Sequence, residues 1–141
     1  MFIFDTDHLA LIQKRTEPEY SRIRLRASVR ATTEFFVTIV SFHEEILGWN
    51  AYIANAKKIQ GVIKGYDRLL HILTDFSEAQ VLPFDDDAGA RFIHLQQQKV
   101  RISTMDLRIA SIALSHSMTV LTRNLSNFRR VPSLNVEDWT N

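Results

Sequence analysis

Five short apolar runs, separated by stretches with helical patterning, restrict what this chain can fold into. Phe2-Ile3-Phe4 stops abruptly at Asp5, the pattern of a buried strand ending at a sheet edge. Phe35 to Val40 is aromatic and β-branched and predicts a second strand, with Ser41 placed to cap a helix running through Glu44 and Leu47 to Ala54. Val81 to Phe84, Thr119 to Thr122 and Leu134 to Val136 predict three more. The intervening segments carry helix signals. Asp5-Thr6-Asp7 caps a helix with Leu9, Leu11 and Ile12, and Glu17 to Val29 has Pro18 in its first turn. From Ala56 to Phe76, Ile59, Ile63, Tyr66, Leu70 and Leu73 share one face, while Gly61 and Gly65 weaken the segment locally. Asp85, Asp86 and Asp87 open a helix from Ala88 to Gln98, and Ser103 or Thr104 caps another through Asp106, Ile109, Ile112 and Leu114. Strands alternating with helices predict an α/β fold, a central mostly parallel β-sheet flanked by α-helices. At 141 residues, the expectation is a single domain over 1–141.

In such sheets, ligands bind beyond the carboxyl ends of the strands. Polar residues just after a predicted strand, or on the first turn of a helix, are therefore the candidates: Asp5, Asp7, Ser41, Glu44, Asp106, Thr122 and Asn124. Carboxylates that converge repel one another and lose hydration, so a cluster is tolerated mainly when a cation neutralises it. The chain has no cysteine, so a metal must be held by oxygen or imidazole. Hard oxygen ligands suit Mg²⁺ or Mn²⁺, which can activate water against a phosphodiester. Hydrolysis of a nucleic acid is the chemistry this set fits. Glu45 should point away from Glu44, since neighbours on a helix differ by about 100°. The five histidines are scattered and read as structural or surface groups, and Trp49 and Trp139 as packing anchors.

Charge adds little, because the net value is +1, but Arg22, Arg24, Arg26 and Arg30 crowd one segment and Arg123, Arg129 and Arg130 another, and Arg22, Arg24, Arg26 and the Arg123 to Arg130 cluster are expected to contact phosphates. The start MFIFDTDHLA lacks the basic and long apolar regions of an export signal, and no window approaches the roughly 18 apolar residues of a membrane span. A cytoplasmic protein with no membrane association is the resulting expectation.

The order of these residues resembles a known family. FIFDTDHL resembles the opening of PIN domains, an apolar strand followed by Asp-Thr-Asn or a close variant. SFHEEILG resembles their second motif and selects Glu44 and Gly48. MDLRIASIAL resembles the third, and VLTRNLSNFRRVPSLNVEDW the closing block. Order and spacing are similar to those of VapC-type toxins of type II toxin–antitoxin systems across nearly the whole chain. The resemblance implies a PIN-like fold and an endoribonuclease that uses Mg²⁺ or Mn²⁺ to cut RNA, often transfer or ribosomal RNA. It implies a metal set of Asp5, Glu44, Asp106 and Asn124, with Thr122 as a hydroxyl support. It also implies silencing by a cognate VapB-like antitoxin and pairing into a homodimer. Asp7 departs from the usual Asn, and Asn124 stands where many relatives have Asp, which bears on whether one or two metals bind.

Two other readings compete. Asp5 and Asp7 after a strand are also the nucleophile and general acid of haloacid-dehalogenase-type phosphatases, although Leu9 stands where a hydroxyl or valine is expected and no Lys-plus-paired-Asp block follows. A non-catalytic RNA- or protein-binding PIN module would be expected to have lost Asp5, Glu44 or Asp106, and all three are present.

Overall fold

The computed structural model describes residues 1–141 and shows the alternation directly. Strand β1 (Phe2–Phe4) is followed by helices α1 (Thr6–Lys14) and α2 (Glu19–Ala27), then β2 (Phe35–Thr38). Helices α3 (Ile39–Asn55) and α4 (Ile59–Glu78) lead to β3 (Val81–Leu82), and α5 (Asp86–Gln97) and α6 (Thr104–His116) to β4 (Thr119–Leu121). A single turn, α7 (Leu125–Phe128), precedes β5 (Val136–Glu137). All pairings are parallel, and the five strands lie in the order β3-β2-β1-β4-β5. The chain thus builds outward from β1 on one side, then returns to build on the other. Crevices form at the carboxyl end of the strand where the direction reverses. Here that strand is β1, and the residue that follows it is Asp5.

Helices cover both faces, as a parallel sheet requires. Successive side chains alternate faces, so Ile3 and Val120 join Leu107, Ile109, Ala110, Ile112 and Ala113 of α6 in the larger core cluster. Phe2, Phe4 and Leu121 turn the other way, toward Ile23, Leu11, Ile12 and Trp139. Ile109, Ala110, Ile112 and Ala113 are completely buried. Each isoleucine contributes about 1.5–3 kcal/mol on burial, so this run pins α6 and sets the position of its first turn.

Several boundaries differ from those predicted. Ile39 and Val40 belong to α3 and not to β2, because Thr38, one turn earlier than expected, caps that helix by accepting a hydrogen bond from the Ser41 N–H at 3.1 Å. Ser41 is instead a buried residue within the first turn. The capping role of Asp85 holds, with Ala88 N–H donating to its carboxylate at 3.0 Å, and Ser103 rather than Thr104 caps α6. On α4, the face carrying Ile59, Ile63, Tyr66, Leu70 and Leu73 is exposed, each residue by 60% or more. The face turned inward is Gly65, Ile72 and Phe76. Gly65 explains the choice: a Cβ there would overlap Ile53 Cγ1 of α3, so the missing side chain lets the two helices approach.

Gly65→Ala is therefore expected to destabilise the fold by about 1–3 kcal/mol through overpacking. Gly48→Ala, in mid-helix with nothing within 4 Å of the added Cβ, should stabilise it by about 0.5–1 kcal/mol. Urea unfolding of both variants checks the pair, and equal effects would show that the α3–α4 approach does not depend on Gly65.

Candidate metal centre

Backbone pairing fixes the first carboxylate. Asp5 N–H donates to Leu121 O at 2.9 Å, continuing the β1–β4 ladder, and Asp5 Oδ1 accepts from Thr6 N–H at 2.8 Å as the cap of α1. Glu44 arrives from the second turn of α3, and Asp106 from the first turn of α6, where its N–H donates to Ser103 Oγ at 3.2 Å. One carboxylate oxygen from each of Asp5, Glu44 and Asp106 lies within 4.8 Å of the others. Three residues far apart in sequence thus converge where the strand order reverses.

Neutral groups orient them. Thr6 Oγ1 donates to Glu44 Oε1 at 2.9 Å, which leaves Ser41 Oγ, 3.0 Å away, as the donor to Thr6. Thr122 is completely buried, and its hydroxyl donates to Asp5 Oδ2 at 2.8 Å while its Oγ1 accepts from Asn124 N–H at 3.0 Å. Asn124 Nδ2 stands 3.5 Å from Asp106 Oδ2, at the outer limit of a hydrogen bond. All five residues expected at the site are thus gathered in one place.

The electrostatics are those of a cluster short of positive charge. Burial, reinforced by the charge of Asp7, pushes Asp5 up to about 7 against the hydrogen bonds from Thr122 and Thr6. Burial also raises Glu44, opposed by the Thr6 hydroxyl, and raises Asp106, opposed by Ser103. Two full charges 4.8 Å apart repel by about 3 kcal/mol at an effective dielectric near 20, before the solvent screening that the half-buried Glu44 and Asp106 retain. An all-oxygen, acceptor-only donor set of this kind fits a hard divalent cation.

Thr6 is the residue that sequence reading passed over, while His8, read as a structural or surface group, is fully buried. Thr6 lies between two acids, and only the fold reveals the hydroxyl it turns toward Glu44. His8, Asp7 and Trp139 form a hydrogen-bonded chain beside the site. Glu45 points away from Glu44 as expected, accepting from Gln13 Nε2 on α1 at 3.3 Å. Three of the clustered arginines, all exposed, reach residues near the chain end or the β1 aromatics: Arg22 donates to Thr140 O, Arg26 to Asp138 O and Asn141 O, and Arg30 lies 5.0 Å over the rings of Phe2 and Trp139. The Arg22 and Arg26 contacts give a structural use for residues expected to face phosphates.

Against known proteins, the family model described as PIN domain matches residues 3–134. The chain belongs to the PIN domain family. Among PIN-domain relatives, the tRNA(fMet)-specific endonuclease VapC of Salmonella typhimurium is 25% identical over 142 residues, covering 98% of this chain and 97% of that protein. Ribonuclease VapC2 of Rickettsia felis is 40% identical over 45 residues, 32% of this chain and 34% of that one. The fold of the DNA-bound VapBC crystal structure from Salmonella typhimurium superposes with a TM-score of 0.73 at 25% identity, covering 98% of this chain and 97% of that one. VapBC2 of Rickettsia felis bound to a promoter DNA fragment gives 0.71 at 20% identity over 98% of each chain, a likeness of fold. No helix is long and apolar enough to cross a membrane.

The raised carboxylates set a pH dependence. Between the ordinary aspartate value and about 7, folded Asp5 keeps a proton that the unfolded chain has released, so stability of the metal-free protein falls as pH rises through that window. The shift corresponds to a loss on the order of 4 kcal/mol. Thermal unfolding in EDTA should show a higher melting temperature at pH 5 than at pH 8, and the opposite order would mean that Asp5 is not held protonated.

Proposed function

We propose that this PIN domain, spanning the chain as one unit, is a VapC-type endoribonuclease. Asp5, Glu44 and Asp106 would hold Mg²⁺ or Mn²⁺, with Asn124 in the fourth position. The observation that carries this reading is the convergence of three carboxylates, from β1, α3 and α6, within 4.8 Å. The 25% identity over nearly full length to a transfer-RNA-specific endonuclease supports RNA as the polymer that is cut.

When bound, such an ion supplies Lewis acidity, lowering the pKa of water and offsetting the charge that develops on the phosphate. The chain's own residues supply position. Thr122 and Thr6 fix the rotamers of Asp5 and Glu44, so the oxygens that would meet the ion are set before it arrives. In the hydrolysis, a water oxygen bonds to phosphorus, the bond to the leaving ribose oxygen breaks, and the water's proton passes through solvent to that oxygen.

A phosphatase using Asp5 and Asp7 fits less well. Both Asp7 oxygens accept from the protein's own donors, Arg123 N–H at 3.0 Å and His8 Nδ1 at 3.0 Å, which tie the side chain to the turn after β4 and to His8 and not to a leaving group. Regulation by a cognate VapB-like antitoxin is supported by the VapBC complexes among the structural relatives. The exposed apolar face of α4 is large for a chain that acts alone and supports burial against such a partner or a second copy in a homodimer.

Asp5→Asn and Asp106→Asn should each lower Mn²⁺-dependent cleavage of cellular RNA by about 10²-fold or more while the circular dichroism spectrum is unchanged. Asp106→Asn should also melt above the wild type in EDTA, because one repelling charge is gone. Mn²⁺ at one hundred times its dissociation constant should stabilise the wild type by about 2.7 kcal/mol and the variant far less. If Asp106→Asn is destabilised in EDTA and responds to Mn²⁺ like the wild type, Asp106 is a helix-capping acid and the metal site fails.

A further inference from the structure

Asp7 is absent from the carboxylate cluster, yet it stands on the same turn of chain and has a hydrogen-bond partner on each oxygen. Its Oδ2 accepts from Arg123 N–H at 3.0 Å, with the Thr122 hydroxyl 3.3 Å away. Its Oδ1 lies 3.0 Å from His8 Nδ1. His8 is completely buried, and its other nitrogen, Nε2, accepts from the main-chain N–H of Trp139 at 3.2 Å. Asp138 Oδ1 is farther from Nε2, at 3.7 Å, and is itself taken by Thr140 N–H and Oγ1 at 2.8 and 2.6 Å.

An amide N–H can only donate, so Nε2 must be the bare nitrogen and Nδ1 must carry the proton. Asp7 then receives N–H donors on both oxygens, and only a carboxylate accepts on both. A carboxamide in its place would turn its NH₂ against either Arg123 N–H or His8 Nδ1–H. Moving the imidazole proton to Nε2 would merely transfer the clash to Trp139. The arrangement that spares the buried His8 turns the NH₂ toward Arg123, so the turn after β4 loses the carboxylate oxygen that ties its main chain to α1.

We propose that Asp7 is a positioning residue: locked by a His8 tautomer that the Trp139 amide dictates, it holds the turn after β4 so that Thr122 and Asn124 face Asp5 and Asp106. The path is continuous. Asp7 fixes the Arg123 amide, the adjoining Thr122 hydroxyl meets Asp5, the Asn124 amide meets Thr122 Oγ1, and the Asn124 side chain reaches toward Asp106. The segment around Trp139, whose ring is buried against Ile23 and Leu121, thereby becomes part of the site's scaffold. This inference rests on the nuclease reading for its effect on rate, but not for the lock itself.

Two measurements test it. Long-range ¹H–¹⁵N correlation spectra of the wild-type protein should show the His8 proton on Nδ1 and Nε2 bare. A proton on Nε2 would overturn the lock whether or not the protein cuts RNA. In kinetics with Mn²⁺, Asp7→Asn should lower kcat by about tenfold or more, as loss of a group that orients metal ligands does. KM for RNA should stay within about threefold, since no contact to substrate is removed. His8→Gln can place an acceptor near Trp139 N–H and presents no donor at the Nδ1 position, so the double variant should recover most of the lost rate. An Asp7→Asn enzyme with wild-type kcat would sink the positioning role. A wild type that cuts no RNA would instead sink the nuclease reading, and the spectra would still decide the lock.

Discussion

Mutual repulsion among Asp5, Glu44 and Asp106 is the constraint around which the rest of this molecule is arranged. Their oxygens lie within 4.8 Å of one another, and burial favours their protonated forms. Only a stiff frame holds such groups together, and the frame is assembled from ordinary parts. A parallel ladder places Asp5, a threonine cap starts α3 so that Glu44 falls in its second turn, and a fully buried run in α6 anchors the turn that carries Asp106. None of these devices is peculiar to the site. Their intersection at the strand where the sheet changes direction makes it one.

The same groups serve structure and site at once. Asp5 caps α1 through one oxygen while the other receives Thr122, so its rotamer is settled from both sides. Thr122 accepts from Asn124 while donating to Asp5, which spends its one hydrogen and ties two strand ends together. Fully satisfied networks of this kind rigidify, whereas a partly satisfied one costs more than an apolar core. A cluster of like charges has little margin for slack, and polar residues with every group partnered supply the stiffness that apolar packing alone would not.

Much of this was legible in the sequence because its causes are local. The halt of an apolar run at Asp5, the Asp85 cap and the α6 pattern depend on neighbours within a turn or two, and each stands where the sequence predicted it. What failed to show depended on distant partners. Whether Thr38 or Ser41 caps α3 turns on where β2 stops pairing with β3, and the capping residue is the one still in register with Leu82. Ile59, Ile63, Tyr66, Leu70 and Leu73 share one face of α4 as their spacing predicts, but which face turns inward depends on the close approach to Ile53, which selects that of Gly65. His8 and Trp139 lie 131 positions apart, and no local pattern links them.

The two departures from the PIN pattern, an acid at position 7 and an amide at position 124, become intelligible together. A fourth carboxylate at position 124 would stand beside Asp106, where Asn124 Nδ2 now lies 3.5 Å from Oδ2, and would add like charge to a group that burial already raises. At Asp7 the extra charge is met by two N–H donors outside the cluster, although it still pushes Asp5 upward. Negative charge has in effect been moved from a position that would face its neighbours to one that faces amide and imidazole hydrogens. Asp7 remains close to Asp5, whereas the fourth position of the proposed metal set passes from a carboxylate to the neutral carboxamide of Asn124. With three carboxylates and one neutral amide, the proposed set adds less to the repulsion among Asp5, Glu44 and Asp106 than a fourth acid would.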